Sequence, residues 1–545
     1  VMLFKRVLFY KILFYSFFIT LPAQPDPKYR PFDWVTYRAS GPINAISEGY
    51  TFVYIGTNEG GIYRYHLFSN EFNDPITKAQ GLKSNTVTGI HFDRNTGIIW
   101  VAVPGHLQYT YTREGDWRDV KFSELGLHKT DVIRRIGSSE NYVWAQANSI
   151  YVKVDRSSGV LAGLYPFPDE LNIQWSSGPY RDQHDLKEII NNYTVMAGWM
   201  LSGDRFIDQY GRYLDITTGL KGFHGDIWVG SSDGTFFQAK TTMETFFPSS
   251  FGIRGVDVGA LHYQKPDLWI GSADYSVGRG VTRLDPSTLQ VDHFDFDVTV
   301  NMNPTDIFSI LDLDDELWIG GNNVVLLYDK DDNYWRTLGI DRGIPEGNIN
   351  SIAGDTTFVW VGSSQGLRQI NRKSRIEEVM GIESLFFNHP VNALHLNEFG
   401  LWIGTRTGIY LYDPKNPQVV NGNSIGISYL DFPLSQVTAI QEDNGALYIA
   451  ANIGIVKFDL REHVWELVIS AIQYKAHQVR AMSMGRNHCF IGTKMGFYRI
   501  NLKTGLIREY NYPFIGNINS MILMGNTLWL GASEGLIRFK WKKDL

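Results

Sequence analysis

The chain has 545 residues, 43% of them hydrophobic, and 50 Lys and Arg against 57 Asp and Glu give a formal net charge of −7. Apart from Lys540, Lys542 and Lys543 at its end there is no basic block, so the positive stripe that a nucleic-acid binder needs to displace counterions is missing. A single cysteine, Cys489, rules out an intramolecular disulfide, and the core must hold the fold by packing.

At the N-terminus, Lys5 and Arg6 precede an apolar stretch from Val7 to Leu21 that Lys11 interrupts, and Leu21-Pro22-Ala23 ends it. That order is the one of a secretory signal, residues 1–23, cut before Gln24. The stretch is short for a membrane span. No second segment is long enough to span, so the mature chain is expected to have no transmembrane segment and to lie in the periplasm or outside a bacterial cell.

Next comes Asp33-Trp34-Val35-Thr36-Tyr37, and then a phrase that recurs to the end of the chain. Its clearest copy is Leu-Trp-Ile-Gly-Thr-Arg-Thr-Gly-Ile-Tyr-Leu-Tyr-Asp from Leu401 to Asp413. The aromatic marker falls at Tyr54, Trp100, Trp144, Trp228, Trp269, Trp318, Trp360, Trp402, Tyr448, Phe490 and Trp529, with a degenerate copy at Val195 where Met196 takes its place. The period is about 42 residues, in the range of propeller blades. Around Trp360, Ile349 to Ala353 reads as an innermost strand, Thr357 to Gly362 as a second and Gly366 to Ile370 as a third. Tyr334 to Leu338 shows the fourth strand in the preceding repeat. The second strand is apolar at every position, as expected where both faces are packed. The glycine after it allows close backbone approach.

The expected fold is all-β, a β-propeller of about twelve four-stranded blades. Propellers hold ~4 to 8 blades in one ring, so two rings are expected, divided as six plus six or seven plus five. The last repeat stops after three strands near Ile518, Leu528 and Leu536, and Asp33 to Tyr37 resembles a fourth strand. The N-terminal strand should therefore close the C-terminal blade and remove a sheet edge. On this reading residues 24–166 form the first blades, 167–227 an irregular crossing with a degenerate repeat, and 228–545 the remaining blades of both rings. Within the crossing, Tyr180 to Ile190 suits a short helix.

The Leu401 phrase, together with the lead-in Gly81-Leu82-Lys83-Ser84-Asn85-Thr86-Val87, resembles the two-component regulator propeller repeat. That resemblance implies a periplasmic sensor propeller of the kind found in hybrid two-component systems, or a separate secreted propeller protein such as a secretion-associated surface component. Hybrid sensors continue into a β-sandwich, a membrane span and a kinase. The chain stops at Leu545 without them, and the expectation is a free-standing propeller or a truncated larger sensor.

Site residues are harder to read. The repeated Trp side chains belong to the core, and Cys489 reads as a small buried hydrophobe. The loop between second and third strands opens on one face in every blade, and its varying residues are the natural ligand-facing set. They are Glu59, Asp233, Asp274, Arg279, Gln365, Arg406, Lys494 and Glu534. Ser231 to Phe236 partly resembles an Asp-box but reads as an ordinary blade turn. Asp329 to Asn333 reads as a polar hairpin turn, since it lacks the glycine and distal glutamate of a calcium loop. No catalytic, metal or cofactor motif stands out, so no metal and no cofactor is expected. The expected function is a non-enzymatic binding or sensory module for a glycan, peptide or protein partner. Two alternatives stay open: a polysaccharide hydrolase or lyase on a double propeller, and a structural component of a secretion or cell-surface assembly.

Overall fold

The glycine of the repeated phrase marks where one sheet meets the next. A computed structural model describes residues 25–273, 280–426, 433–485 and 487–545. In it the strand Gly400–Thr405 is buried along its whole length and lies antiparallel between Val391–Asn397 and Ile409–Asp413, with Gln418–Asn421 outermost. A methyl group added at Gly404 would sit 2.6 Å from Val437 Cγ1, just ahead of the innermost strand Ala439–Asp443 of the following sheet. Gly56 meets Val87, Gly320 meets Ile349 and Gly362 meets Val391 in the same way, each at 2.6 Å. In these sheets the glycine leaves room for close approach, and the β-branched residue opposite fills that space.

The described chain is all-β and propeller-like, with most sheets four-stranded, antiparallel and ordered first strand to fourth. Trp100, Trp144, Trp228, Trp269, Trp318, Trp360, Trp402 and Trp529 are all fully buried or nearly so, which places the repeated aromatic in the core. Cys489 is buried too, and burial pushes its thiol up to about 12. The strands read around Trp360 appear at Ile349–Gly354, Phe358–Ser363 and Gly366–Asn371, and the preceding fourth strand at Tyr334–Leu338. The sheet of residues 349–371 has three strands among the described residues; its fourth place holds one isolated bridge, Ile370 to Glu377.

The N-terminal strand closes the C-terminal sheet as expected. Trp34–Tyr37 pairs antiparallel with Gly535–Phe539, and the Trp34 ring stacks on Phe539 with centroids 3.8 Å apart.

Two glycine contacts run against chain order. Gly230 meets Ile43 at 2.5 Å, and Gly531 meets Val258 at 2.8 Å. The innermost strands follow suit. Val258–Gln264, Ser309–Leu313, Ile349–Gly354, Val391–Asn397, Ala439–Asp443, Ala481–Gly485 and Ile518–Met524 touch in succession, and the last touches the first. Separately, Ile43–Glu48 touches Gly89–Phe92, which touches Ile133–Ser138. From there Gln174–Trp175 pairs with Ile133–Ser138, Gly178–Pro179 pairs with Tyr213–Lys221, and Tyr213–Lys221 returns to Ile43–Glu48.

The stretch Phe167 to Phe223 therefore contributes the ribbon 174–179 beside the innermost strands. The expected helix appears as a 3-10 turn Tyr180–Asp182 followed by His184–Ile190. The degenerate copy at Val195 makes no sheet of its own: Thr194–Val195 adds in parallel to Thr245–Ser249. The reason is visible at Met196, which is exposed where the other copies bury their aromatic fully or, at Tyr448, in part.

Candidate functional site

Two short connections, residues 38–42 and 250–257, lie side by side, and a hollow opens next to them. Ile253 N donates to Arg38 O at 3.2 Å, and Tyr63 Oη donates to the same carbonyl at 2.8 Å. Beside this junction, the N-terminal end of Tyr213–Lys221, the hairpin at Ser232-Asp233, residues 253–255 and the end of Val291–Asp295 enclose about 620 Å³. A second hollow of about 580 Å³ adjoins it and shares Arg212, Asp233, Arg254 and Asp295. Both volumes fall in the range of small-molecule sites.

The shared floor is an ion network. Arg212 Nε is 2.7 Å from Asp208 Oδ2, and its Nη1 is 3.0 Å from Asp295 Oδ2. Arg254 Nη2 donates to Asp295 Oδ2 at 3.3 Å. Arg254 Nε lies 2.8 Å from Asp295 Oδ1 but out of hydrogen-bonding alignment, so that contact is an ion pair only. Asp208 and Asp295 are buried, and buried carboxylates persist when guanidinium partners surround them. Burial works against the Arg212 charge, but the hydrogen bonds to Asp208 and Asp295 outweigh it and raise its pKa. His293 is driven the other way. Burial first, and the Arg254 charge second, lower it to about 3. The ring is therefore neutral near pH 7, and its Nε2 lies 3.3 Å from Gly252 O as a donor.

Aromatic side chains flank the floor. Tyr210, Tyr213 and Tyr334 are exposed around it. Below them Tyr328 and Trp335 stack at 4.7 Å, and Trp199 packs edge-on against Phe237 at 5.3 Å. Carboxylates outnumber guanidinium groups in the lining. The cleft therefore offers rigid charge-assisted hydrogen bonds and tyrosine faces, without an excess of positive charge for a polyanion.

Of the eight ligand-facing candidates, the structure brings Glu59 and Asp233 into this cleft. Asp233 is largely committed to its own turn: its Oδ1 accepts from Thr235 N at 3.0 Å and from Ser231 Oγ at 2.5 Å, which makes Ser231 to Phe236 a blade turn. Glu534 stands beside the junction, with Oε2 2.9 Å from Arg38 Nη1. Gln365, Arg406 and Lys494 are exposed on hairpins of other sheets, away from the cleft lining. Asp274 and Arg279 lie outside the described residues. The Asp329 to Asn333 turn is a hairpin closed by Asp332 N donating to Asp329 Oδ1 at 3.1 Å. Among the described residues no group of three or more His, Cys, Asp or Glu is placed to hold a metal, and no helix is long and apolar enough to cross a membrane. Arg212, Arg254, Asp295 and His293 escaped the sequence reading. Arg212 and Arg254 sit in connections outside the repeat phrase, and only closure of the circuits brings them to Asp295.

No family model matches the chain, and no curated protein matches it. Among solved structures, it is similar to the extracellular domain of a hybrid two-component system from B. thetaiotaomicron, at 16% identity and a TM-score of 0.41 over 91% of this chain and 70% of that one. The extracellular domain of another such system from the same organism is similar at 15% identity and a TM-score of 0.40, over 90% and 73%. A computationally designed protein, Ika8, is similar at 16% identity and a TM-score of 0.38, over 58% of this chain and 93% of its own.

Proposed function

We propose that the chain is a non-enzymatic binding module, exported from a bacterial cell, that holds a glycan in the cleft between two propeller rings. One ring has seven sheets, residues 33–37 with 258–545. The other, residues 43–249, has four sheets and the 174–179 ribbon, and is inserted into the first through the connections 38–42 and 250–257. The out-of-order glycine contacts at Gly230 and Gly531 support this partition. The apolar stretch after Lys5 and Arg6 supports export.

The observation that carries the function is the fixed chain of Asp208, Arg212, Asp295 and Arg254 beneath exposed tyrosines. Sugars present hydroxyls to charged hydrogen-bonding groups and apolar ring faces to aromatics, and this floor and rim match both. Asp208 and Asp295 are each engaged by a guanidinium group, which favours a holding role over proton transfer.

Calorimetric titration with cellotetraose, xylotetraose and mannotetraose tests the reading. At least one should bind, and Tyr334→Ala and Tyr213→Ala should each weaken it about tenfold, or ~1.4 kcal/mol. Binding that both variants leave untouched, or no binding across the set, would sink the cleft assignment. New reducing ends during incubation would favour the hydrolase instead.

A further inference from the structure

We propose that the hollow between the sheet of residues 43–76 and the sheet of residues 213–249 is a second binding site, separate from the cleft, for an arginine side chain presented by an extended segment of a partner protein. The hollow encloses about 560 Å³ and shares no lining residue with either hollow of the cleft.

Strand geometry fixes what faces it. Side chains alternate along a strand, and residues directly opposed across a strand pair share a face. Between Asp226–Ser231 and Phe236–Lys240, Asp226 stands opposite Lys240 and Trp228 opposite Gln238, while Gln238 stands opposite Phe247 on the next strand. These five side chains therefore lie on one face. It is turned toward Tyr65 of the neighbouring sheet, whose Oη donates to Gln238 Oε1 at 2.7 Å. All six residues line the hollow.

Asp226 is the anomaly. It is 9% exposed, yet among the described residues its carboxylate accepts no hydrogen bond and pairs with no cation. Burial, and then the Asp226 charge, push the Tyr65 hydroxyl up to about 12, so the carboxylate lies close to that ring. The other buried carboxylates among the described residues, Asp33, Glu48, Asp93, Asp208, Asp295 and Glu316, each accept a hydrogen bond or hold an ion pair. Lys240 stands opposite Asp226 but is exposed, and the two form no ion pair. Burying a carboxylate without a partner is costly. A break of that rule in a hollow is the mark of a site whose cation arrives from outside.

The walls select the cation. Phe68 is 77% exposed, Met243 56% and Phe247 40%, and all three line the hollow, an open apolar patch of the kind that takes a partner. A guanidinium group can lay its face on an aromatic ring and direct two N–H groups at Asp226, while its methylene stem covers Met243. An ammonium is compact and more strongly hydrated, and cannot make that planar contact. Residues flanking the arginine would meet Phe68 and Phe247. The unpaired carboxylate disfavours a lipid chain and a polyanion.

Calorimetric titration of the full chain with the capped tripeptide acetyl-Leu-Arg-Leu-amide tests this, beside versions with citrulline, lysine or norleucine in the middle. The arginine peptide should bind, and each of the others at least tenfold more weakly. Asp226→Asn should weaken the arginine peptide at least tenfold without lowering the thermal midpoint, because the carboxylate has no partner to lose. Phe68→Ala should weaken it several-fold. Lys240→Met should not weaken it, and Tyr334→Ala in the cleft should leave it unchanged. No binding of the arginine peptide, equal binding of any other version, full binding by Asp226→Asn, a lowered midpoint in Asp226→Asn, or loss in Lys240→Met or Tyr334→Ala would each overturn the proposal. Self-association that Asp226→Asn abolishes would overturn it in favour of a second copy of the chain. Oligosaccharide titrations read the cleft independently, so either site can fail while the other stands.

Discussion

At the residue scale, Gly404 and its equivalents set how closely sheets approach. An alanine at Gly404 would push its methyl into Val437 Cγ1, 2.6 Å away. Overpacking of this kind costs about 1–3 kcal/mol, so Gly404→Ala should lower the unfolding free energy by that amount, read as a lower urea midpoint at an unchanged slope. Ala102 and Ala450 occupy the same register in their own sheets, so the cost should track local sheet spacing and not the methyl group as such. The buried histidines predict a pH response. His91 is lowered to about 4 and His293 to about 3, burial being the main cause in both. Unfolded histidine titrates near ~6.5. The folded values are depressed, so the unfolded chain binds more protons below about 6.5. Stability from the neutral rings is fully present above that pH and is lost as pH falls toward 4 for His91 and 3 for His293. For His91 the loss is at most roughly 3 kcal/mol. The thermal midpoint of His91→Gln should fall less steeply than wild type between about pH 6.5 and 4; parallel slopes would refute the assignment.

At the element scale, the strand Trp34–Tyr37 ties the chain's beginning to its end. Trp34 is fully buried, stacked on Phe539 and edge-on to Phe514 at 5.7 Å. Trp34→Ala should cost about 3–5 kcal/mol, read as a drop in the urea midpoint, and should expose the edge of Gly535–Phe539 to aggregation. A variant as stable and monomeric as wild type would mean that this strand does not close the sheet. The closure was legible in sequence because Asp33 to Tyr37 looks like the fourth strand Tyr334–Leu338 and the last repeat lacks one. Other elements were not. Gln174–Trp175 and Gly178–Pro179 are two-residue strands, too short to carry any periodicity. The copy at Val195 kept a fragment of the phrase but lost the buried aromatic, and so counted as a repeat without forming a sheet. The site followed the same rule. Glu59 and Asp233 were visible as variable residues in a fixed frame, while Arg212 and Arg254 stand in connections where no frame exists to depart from.

For the whole molecule, the position of the two connections decides whether the smaller circuit is a separable unit. The chain leaves the larger circuit after Tyr37 and returns by Val258, and Ile253 N is bonded to Arg38 O, so the two ends of residues 43–249 lie together. Insertions of this kind tolerate removal because the host's ends already meet. Replacing 43–249 by a short Gly-Ser linker should leave a folded seven-sheet protein with a single cooperative urea transition. Its stability should be lower, because Arg538 Nη2 would lose Asp74 Oδ2 at 2.6 Å and Tyr37 Oη would lose Asp74 Oδ1 at 2.7 Å. A buried guanidinium stripped of its partner is worth several kcal/mol, ~3–5 by the usual measure, so Arg538→Met in the shortened chain should recover part of the loss. The cleft draws on residues of 43–249, among them Glu59, Arg212 and Asp233. The shortened chain should therefore lose oligosaccharide binding. An insoluble or non-cooperative product, even with Arg538→Met, would mean that the larger circuit depends on the smaller one and that the two are one folding unit.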